Sequence, residues 1–164
     1  MTQQPAAKER VAIFVDVQNM YYTCRQTHNR NFDYNAFWAK VSAQRTVVAA
    51  YAYAIDRQDE KQRQFQHILR AIGFEVKLKP FIQRSDGTAK GDWDVGITID
   101  MLECAAIADT LVLVSGDGDF AILIDKLRQH YAKRVEVYGV PALTAKALME
   151  AADQFIAIDD ALLL

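Results

Sequence analysis

Val112-Leu113-Val114-Ser115-Gly116-Asp117-Gly118-Asp119-Phe120 decides how the rest of the chain is read. An aliphatic run stops at a small, acidic, glycine-bearing turn. A helical pattern starts at once in Ala121-Ile122-Leu123-Ile124-Asp125-Lys126-Leu127. The run reads as a buried strand that delivers two carboxylates to the mouth of a sheet. Gly116 and Gly118 permit positive φ and close backbone approach in the turn. A single Asp here would read as a helix cap, a position Asp favours. Two Asp around a glycine, at the end of so apolar a strand, read as part of a metal site if other acids join them.

Upstream of this stretch, a helix is expected from Asp92 to Ala108. On a wheel of 3.6 residues per turn, Met101, Ala105, Thr98 and Ala108 fall within about 40° of Asp94. Asp94 is therefore expected inside the sheet-facing stripe, where an unpaired charge is costly. Asp92 reads as an ordinary cap favoured by the helix dipole, and Asp100 falls at the edge of the polar side. Further out, Val11-Ala12-Ile13-Phe14-Val15 is a short apolar run of the kind found in buried parallel strands, and it stops at Asp16. Strands are also expected at Thr46–Ile55, Phe74–Phe81, Arg134–Tyr138 and Phe155–Ile158. Helices are expected after Asn19 to about His28, and over Asp33–Ala43, Asp59–Ile72, Asp119–His130 and Thr144–Ala151. Strands alternating with helices imply βαβ units, a mainly parallel sheet and a three-layer α/β sandwich. If the strands ending at Asp16 and Ser115 are neighbours, Asp16, Asp94, Asp117 and Asp119 converge where ligands bind in such sheets, beyond the carboxyl ends. Four such acids repel one another without a cation. An oxygen-only set selects Mg2+ or Mn2+ over zinc.

The bulk properties exclude little but bound the answer. The 164 residues suit one domain over 11–164, after a flexible lead-in at 1–10. A net charge of -2 announces no nucleic-acid binder, so such a partner would need a local basic patch. Cys24 and Cys104 form no zinc spacing or disulfide framework, and fit a reducing compartment as small core residues. His28, His67 and His130 are scattered. The start lacks a signal-peptide core and no apolar run reaches membrane-spanning length, so a cytoplasmic protein is expected, with a homo-oligomer left open. Gly116-Asp117-Gly118 lacks the third glycine of a dinucleotide fingerprint. Ser115 lacks the glycine of a nucleophile elbow.

Phe14-Val15-Asp16-Val17-Gln18-Asn19, Lys90-Gly91-Asp92-Trp93-Asp94-Val95 with Asp100 downstream, and Ser115-Gly116-Asp117-Gly118-Asp119-Phe120 together resemble the NYN domain in its LabA-like branch. The resemblance spans about Val11 to Ile158 and implies a fold related to PIN-type nucleases. It implies Asp16, Asp94, Asp117 and Asp119 as metal-site and catalytic acids. Asn19, Lys90, Ser115 and the lower-ranked Asp100 would stand behind them or face substrate. Trp93 lengthens the usual Lys-Gly-x-Asp spacing by one residue.

The expected activity is metal-dependent hydrolysis of RNA. Lys77, Lys79, Arg84 and Lys90 would guide the backbone on one rim, with Arg25 and Arg30 on the other. For Lys77 and Lys79 a solvated edge strand is an equal reading. Tyr21, Tyr22 and Trp93 are candidates for base stacking, with core packing as the competing account for the tyrosines. The alternatives are a non-catalytic RNA-binding or regulatory module that keeps the acidic pocket, and a small nucleotide phosphohydrolase.

Overall fold

The computed structural model describes residues 7–80 and 92–164, and the backbone alone of 82–83 and 89–90. Arg84, the side chain of Lys90 and most of the lead-in at 1–10 lie outside the described residues. In chain order the elements are β1 (Glu9–Asp16), α1 (Val17–His28), α2 (Tyr34–Val41), β2 (Arg45–Asp56), α3 (Glu60–Ile72), β3 (Glu75–Pro80), β4 (Ile82–Gln83), β5 (Ala89–Lys90) and α4 (Asp94–Cys104). Then follow β6 (Thr110–Val114), a 3-10 turn (Gly118–Phe120), α5 (Ala121–Gln129), β7 (Arg134–Gly139), α6 (Lys146–Ala151) and β8 (Gln154–Ala157).

Six strands form one all-parallel sheet in the order β3-β2-β1-β6-β7-β8. Successive residues of β1 and β6 point to opposite faces, and both faces are apolar. Val11, Ile13, Val15, Val112 and Val114 pack under α1, α2 and α3. Ala12, Phe14, Leu111 and Leu113 pack under α4, α5 and α6. Helices thus cover both sides, giving the single-domain three-layer sandwich expected for a PIN-like fold. Among the described residues no helix is long and apolar enough to cross a membrane. Cys24 and Cys104 are free and buried.

All six expected strands are present and differ at their ends, and a short antiparallel pair, β4 with β5, is added to them. β1 starts at Glu9, because Arg10 donates its backbone N–H and guanidinium to Asp109 and Glu9 pairs with Arg45. α4 is shorter than expected at both ends, running from Asp94 to Cys104. Its last turn tightens as the N–H groups of Ala106 and Ile107 bond only three residues back, to Glu103 and Cys104. α5 and α6 begin two residues later than expected, each after an irregular turn.

The sheet places β1 beside β6, and the chain leaves in opposite directions on either side of that pair. This is the switch point at which open α/β sheets form a crevice beyond the carboxyl ends of their strands. Asp16 ends β1 there, and Ser115 to Asp119 leave β6 there.

Candidate metal centre

Three chain segments build the centre. β1 ends at Asp16, whose side chain caps α1 by accepting from the N–H of Asn19 at 3.3 Å and also accepts from Ser115 Oγ at 3.3 Å. Ser115 Oγ in turn accepts from the N–H of Asp117 at 3.2 Å. Asn19 Oδ1 accepts from the N–H of Gly116 at 2.9 Å, tying the start of α1 to the turn after β6. Asp117 caps the 3-10 turn through the N–H of Asp119 at 2.9 Å. The third segment is the first turn of α4, which brings Asp94.

Glycine is required in the turn after β6 by close approach. A Cβ on Gly116 would lie 2.6 Å from the carbonyl oxygen of Leu143, and one on Gly118 2.8 Å from Cβ of Ala145. Neither glycine has positive φ, so of the two features that glycine permits here only the close approach is used. The segment after β7 walls the turn, and its Ala145 N–H bonds to Gly116 O.

One carboxylate oxygen each of Asp94, Asp117 and Asp119 lie within 4.8 Å of one another. Asp94 and Asp117 are half-buried and Asp119 is exposed. Burial first, then a hydrogen bond and charge from Asp117, push the Asp94 carboxyl up to about 7. Burial pushes Asp16 up to about 6, opposed by the hydrogen bonds of Asn19 and Ser115 and assisted by the charges of Asp117 and Asp92. These acids therefore feel one another, and two of them resist ionising together. The donor set is all oxygen, since His67 and His130 are exposed elsewhere and His28 lies at the far end of α1. Such a set fits a hard divalent cation, whose charge would relieve the repulsion.

Asp16 is beside this trio and electrostatically joined to it, but outside the tightest group. Asp92 contributes charge to both Asp16 and Asp94, and accepts from the Asp94 N–H at 3.3 Å, so it is more than the simple cap expected. Asp100 is not at a polar edge. Its side chain, 15% exposed, accepts from Tyr53 Oη and Lys77 Nζ, both at 2.7 Å, and holds α4 against β2 and β3. That ion pair makes Lys77 part of the packing between α4 and the sheet, where a rim role was one expectation. Arg30 likewise binds Asp160 and the carbonyls of Leu163 and Leu164. Lys79 remains near the expected rim: its Nζ donates to Asp92 O at 2.9 Å and sits 4.5 Å from the Trp93 ring. Trp93 is packed, with Nε1 donating to Ala54 O at 2.9 Å and its ring 5.3 Å from that of Tyr53. Tyr21 and Tyr22 are exposed rather than in the core, and Arg25 lies over the Tyr21 ring at 5.8 Å.

The sequence matches the NYN domain over residues 10–159, which includes every element of this centre. It is 32% identical over 161 residues to the Low amplitude and bright protein LabA of Synechococcus elongatus, covering 92% of this chain and 84% of that protein. The fold is similar to the crystal structure of a protein of unknown function from Vibrio parahaemolyticus. The TM-score is 0.93 and the identity 59%, over 99% of this chain and 100% of the other.

Proposed function

The chain belongs to the NYN domain family, and from that premise we propose that it hydrolyses RNA phosphodiester bonds at a site that takes Mg2+ or Mn2+. Family and acidic cluster together support a nuclease-type or regulatory RNA-related module. The hydrolytic reading is carried by one observation, the meeting of Asp94, Asp117 and Asp119 oxygens at the sheet's switch point. These three residues would hold the ion, with Asp16 adjoining. A divalent ion so held supplies an activated water and compensates charge on the leaving oxygen.

The chain's own groups prepare that site. Asp94 retains a proton up to about pH 7, bonded to Asp117, and must give it up before all three carboxylates can serve as ligands. Ser115 and the first turn of α1 fix the Asp16 carboxylate in orientation. Asn19 holds the Gly116 backbone and so the spacing between Asp16 and Asp117. Asp100, through Tyr53 and Lys77, sets the seat of α4 and hence of Asp94. Lys79 spends one of its three donors on Asp92 O and offers positive charge to phosphate at the same edge. Arg84 and Lys90 are assigned to that rim, and Arg25 to the opposite one, on charge and sequence position.

The test is cleavage of single-stranded RNA, structured RNA and DNA in parallel, with Mg2+, with Mn2+ and with chelator. Metal-dependent RNA cleavage that disappears in Asp117→Asn, while the variant still folds and binds RNA, is the expected result. RNA binding without cleavage under any metal would make the chain a binding module. Turnover of nucleotides alone would make it a phosphohydrolase.

A further inference from the structure

Helix α1 leaves the carboxylate centre carrying two adjacent exposed tyrosines. We propose that Tyr21 and Tyr22, with Arg25, form the surface on which unpaired bases flanking the cleaved bond stack, so that the substrate is single-stranded. This deepens the ribonuclease reading and rests on it for the identity of the polymer.

Tyr21 is 54% and Tyr22 52% exposed. Phe14, Phe32, Phe37, Phe74 and Phe120, by contrast, are at most 4% exposed. Among the described residues the other exposed aromatic is Tyr131, which precedes β7 at the opposite edge of the sheet. The inward face of α1 is filled by Met20, Thr23 and Cys24, so the core makes no use of the two tyrosines. Their rings stand 5.5 Å apart at 74°. One ring's edge meets the other's face, which leaves apolar surface open to a flat partner.

Position links this surface to the centre. Asn19, which bonds the Gly116 N–H, is in the first turn of the same helix. Tyr22 follows three residues later, about 4.5 Å along the axis. Helical Cα–Cβ bonds tilt towards the N-terminus, so both rings lean towards the carboxylate end. Charge agrees: α1 reads VQNMYYTCRQTH and holds no acid, whereas Arg25 lies over the Tyr21 ring. An acid-free aromatic face with a guanidinium complements a polyanion whose bases present π surfaces. A duplex hides those surfaces in its own stack, which is why a single strand is favoured. A peptide partner would also accept tyrosine and arginine, but would not explain the placement beside an acidic centre.

The test is fluorescence anisotropy of a labelled single-stranded RNA and of the same sequence as a duplex. It is run in chelator so that binding is read without cleavage, with thermal melts as the check on folding. Tyr21→Ala and Tyr22→Ala should each weaken single-strand binding about tenfold, and Tyr→Phe at either position should hold it within about twofold, because stacking needs the ring. Duplex binding should change less. Arg25→Gln should flatten the salt dependence by roughly one contact's slope of 0.7. Wild-type affinity in the folded double Ala variant, or equal losses for Ala and Phe, would overturn the proposal. A metal-dependent cleavage assay separates the two readings. Tyrosine-dependent binding without cleavage sinks the ribonuclease and keeps this surface; cleavage that the double Ala variant leaves unchanged does the reverse.

Discussion

Asp94→Asn should make the metal-free protein more stable at pH 8. The Asp94 carboxyl is raised from 3.8 to about 7, by burial and then by Asp117. The folded state therefore binds the proton more tightly than the unfolded chain. The stability this group adds is complete below about pH 4 and is lost as pH rises through about 7. At face value the difference corresponds to roughly 4 kcal/mol at pH 8. The centre is open to solvent at Asp119, and screening there reduces the effect to about 1–2 kcal/mol. In a chain of this size that is a rise in Tm of about 3–6 °C. Asn keeps the shape and removes the charge, so the gain should shrink at pH 5, where the wild-type carboxyl is already protonated. Calorimetric melts in chelator at pH 5 and pH 8 read both arms. Millimolar Mn2+ should reverse the order, since a ligand at a hundred times its Kd adds about 2.7 kcal/mol to the state that binds it. A variant that melts at or below wild type at pH 8 in chelator would refute the reasoning and make Asp94 a structural partner.

Three further outcomes are expected. Apparent Mn2+ affinity, read by titration calorimetry, should climb from pH 5.5 to 7.5 by up to about tenfold per pH unit for each proton released, and Asp16→Asn together with Asp94→Asn should flatten the climb; a flat wild-type profile would show that neither acid gives up a proton to metal. Lys79→Glu should weaken RNA binding and lower its salt slope by at least roughly 0.7, whereas unchanged slopes would take Lys79 off the rim. Arg45→Ala should cost about 3 kcal/mol in urea unfolding, because it strips the main partner from a buried acid; Glu136 is 3% exposed and bound by Arg45 at 2.7 and 3.0 Å, and a loss below about 1 kcal/mol would show water reaching it.

The strands and two of the three segments of the centre were legible because local patterns carry them. Asp16 and Asp117 each end a continuous apolar run, and a parallel sheet puts such ends together. The seat of Asp94 was only half legible. Counting Ala105 and Ala108 into the wheel centres the apolar stripe on Asp94, but α4 stops at Cys104. Its buried residues are Ile97, Met101 and Cys104, whose centre lies roughly 50–60° from Asp94 at 100° per residue. Asp94 and Asp100 then flank the stripe on opposite sides, one meeting Asp117 and Asp119, the other facing Tyr53 and Lys77. Of the two reasons that the sequence offers for Gly116 and Gly118, close approach holds and positive φ does not; the atoms that exclude a side chain there belong to Leu143 and Ala145, far along the chain, so the sequence pattern did not show which reason applied.

The two edges of the sheet treat buried acids in opposite ways, and the contrast bears on function. At the amino edge Glu136 lies in β7, with Arg45 from β2 reaching both it and Glu9, and Arg134 joining on the other side. Burial works to raise the Glu136 carboxyl, yet hydrogen bonds and charge from Arg45 and Arg134 outweigh it and hold the group below its ordinary range. Here the fold meets the cost of a buried charge with cations supplied by its own strands. At the carboxyl edge the forces on Asp94 are burial and three further carboxylates, Asp117, Asp92 and Asp16, all raising it. Among the described residues no salt bridge reaches Asp16, Asp94, Asp117 or Asp119. A chain that neutralises one buried acid so thoroughly has gathered Asp16, Asp92, Asp94 and Asp117, whose charges act on one another, at the position where such sheets bind ligands. Local rules are broken where a site needs them broken, and it is at this edge that we propose a cation from solution is bound.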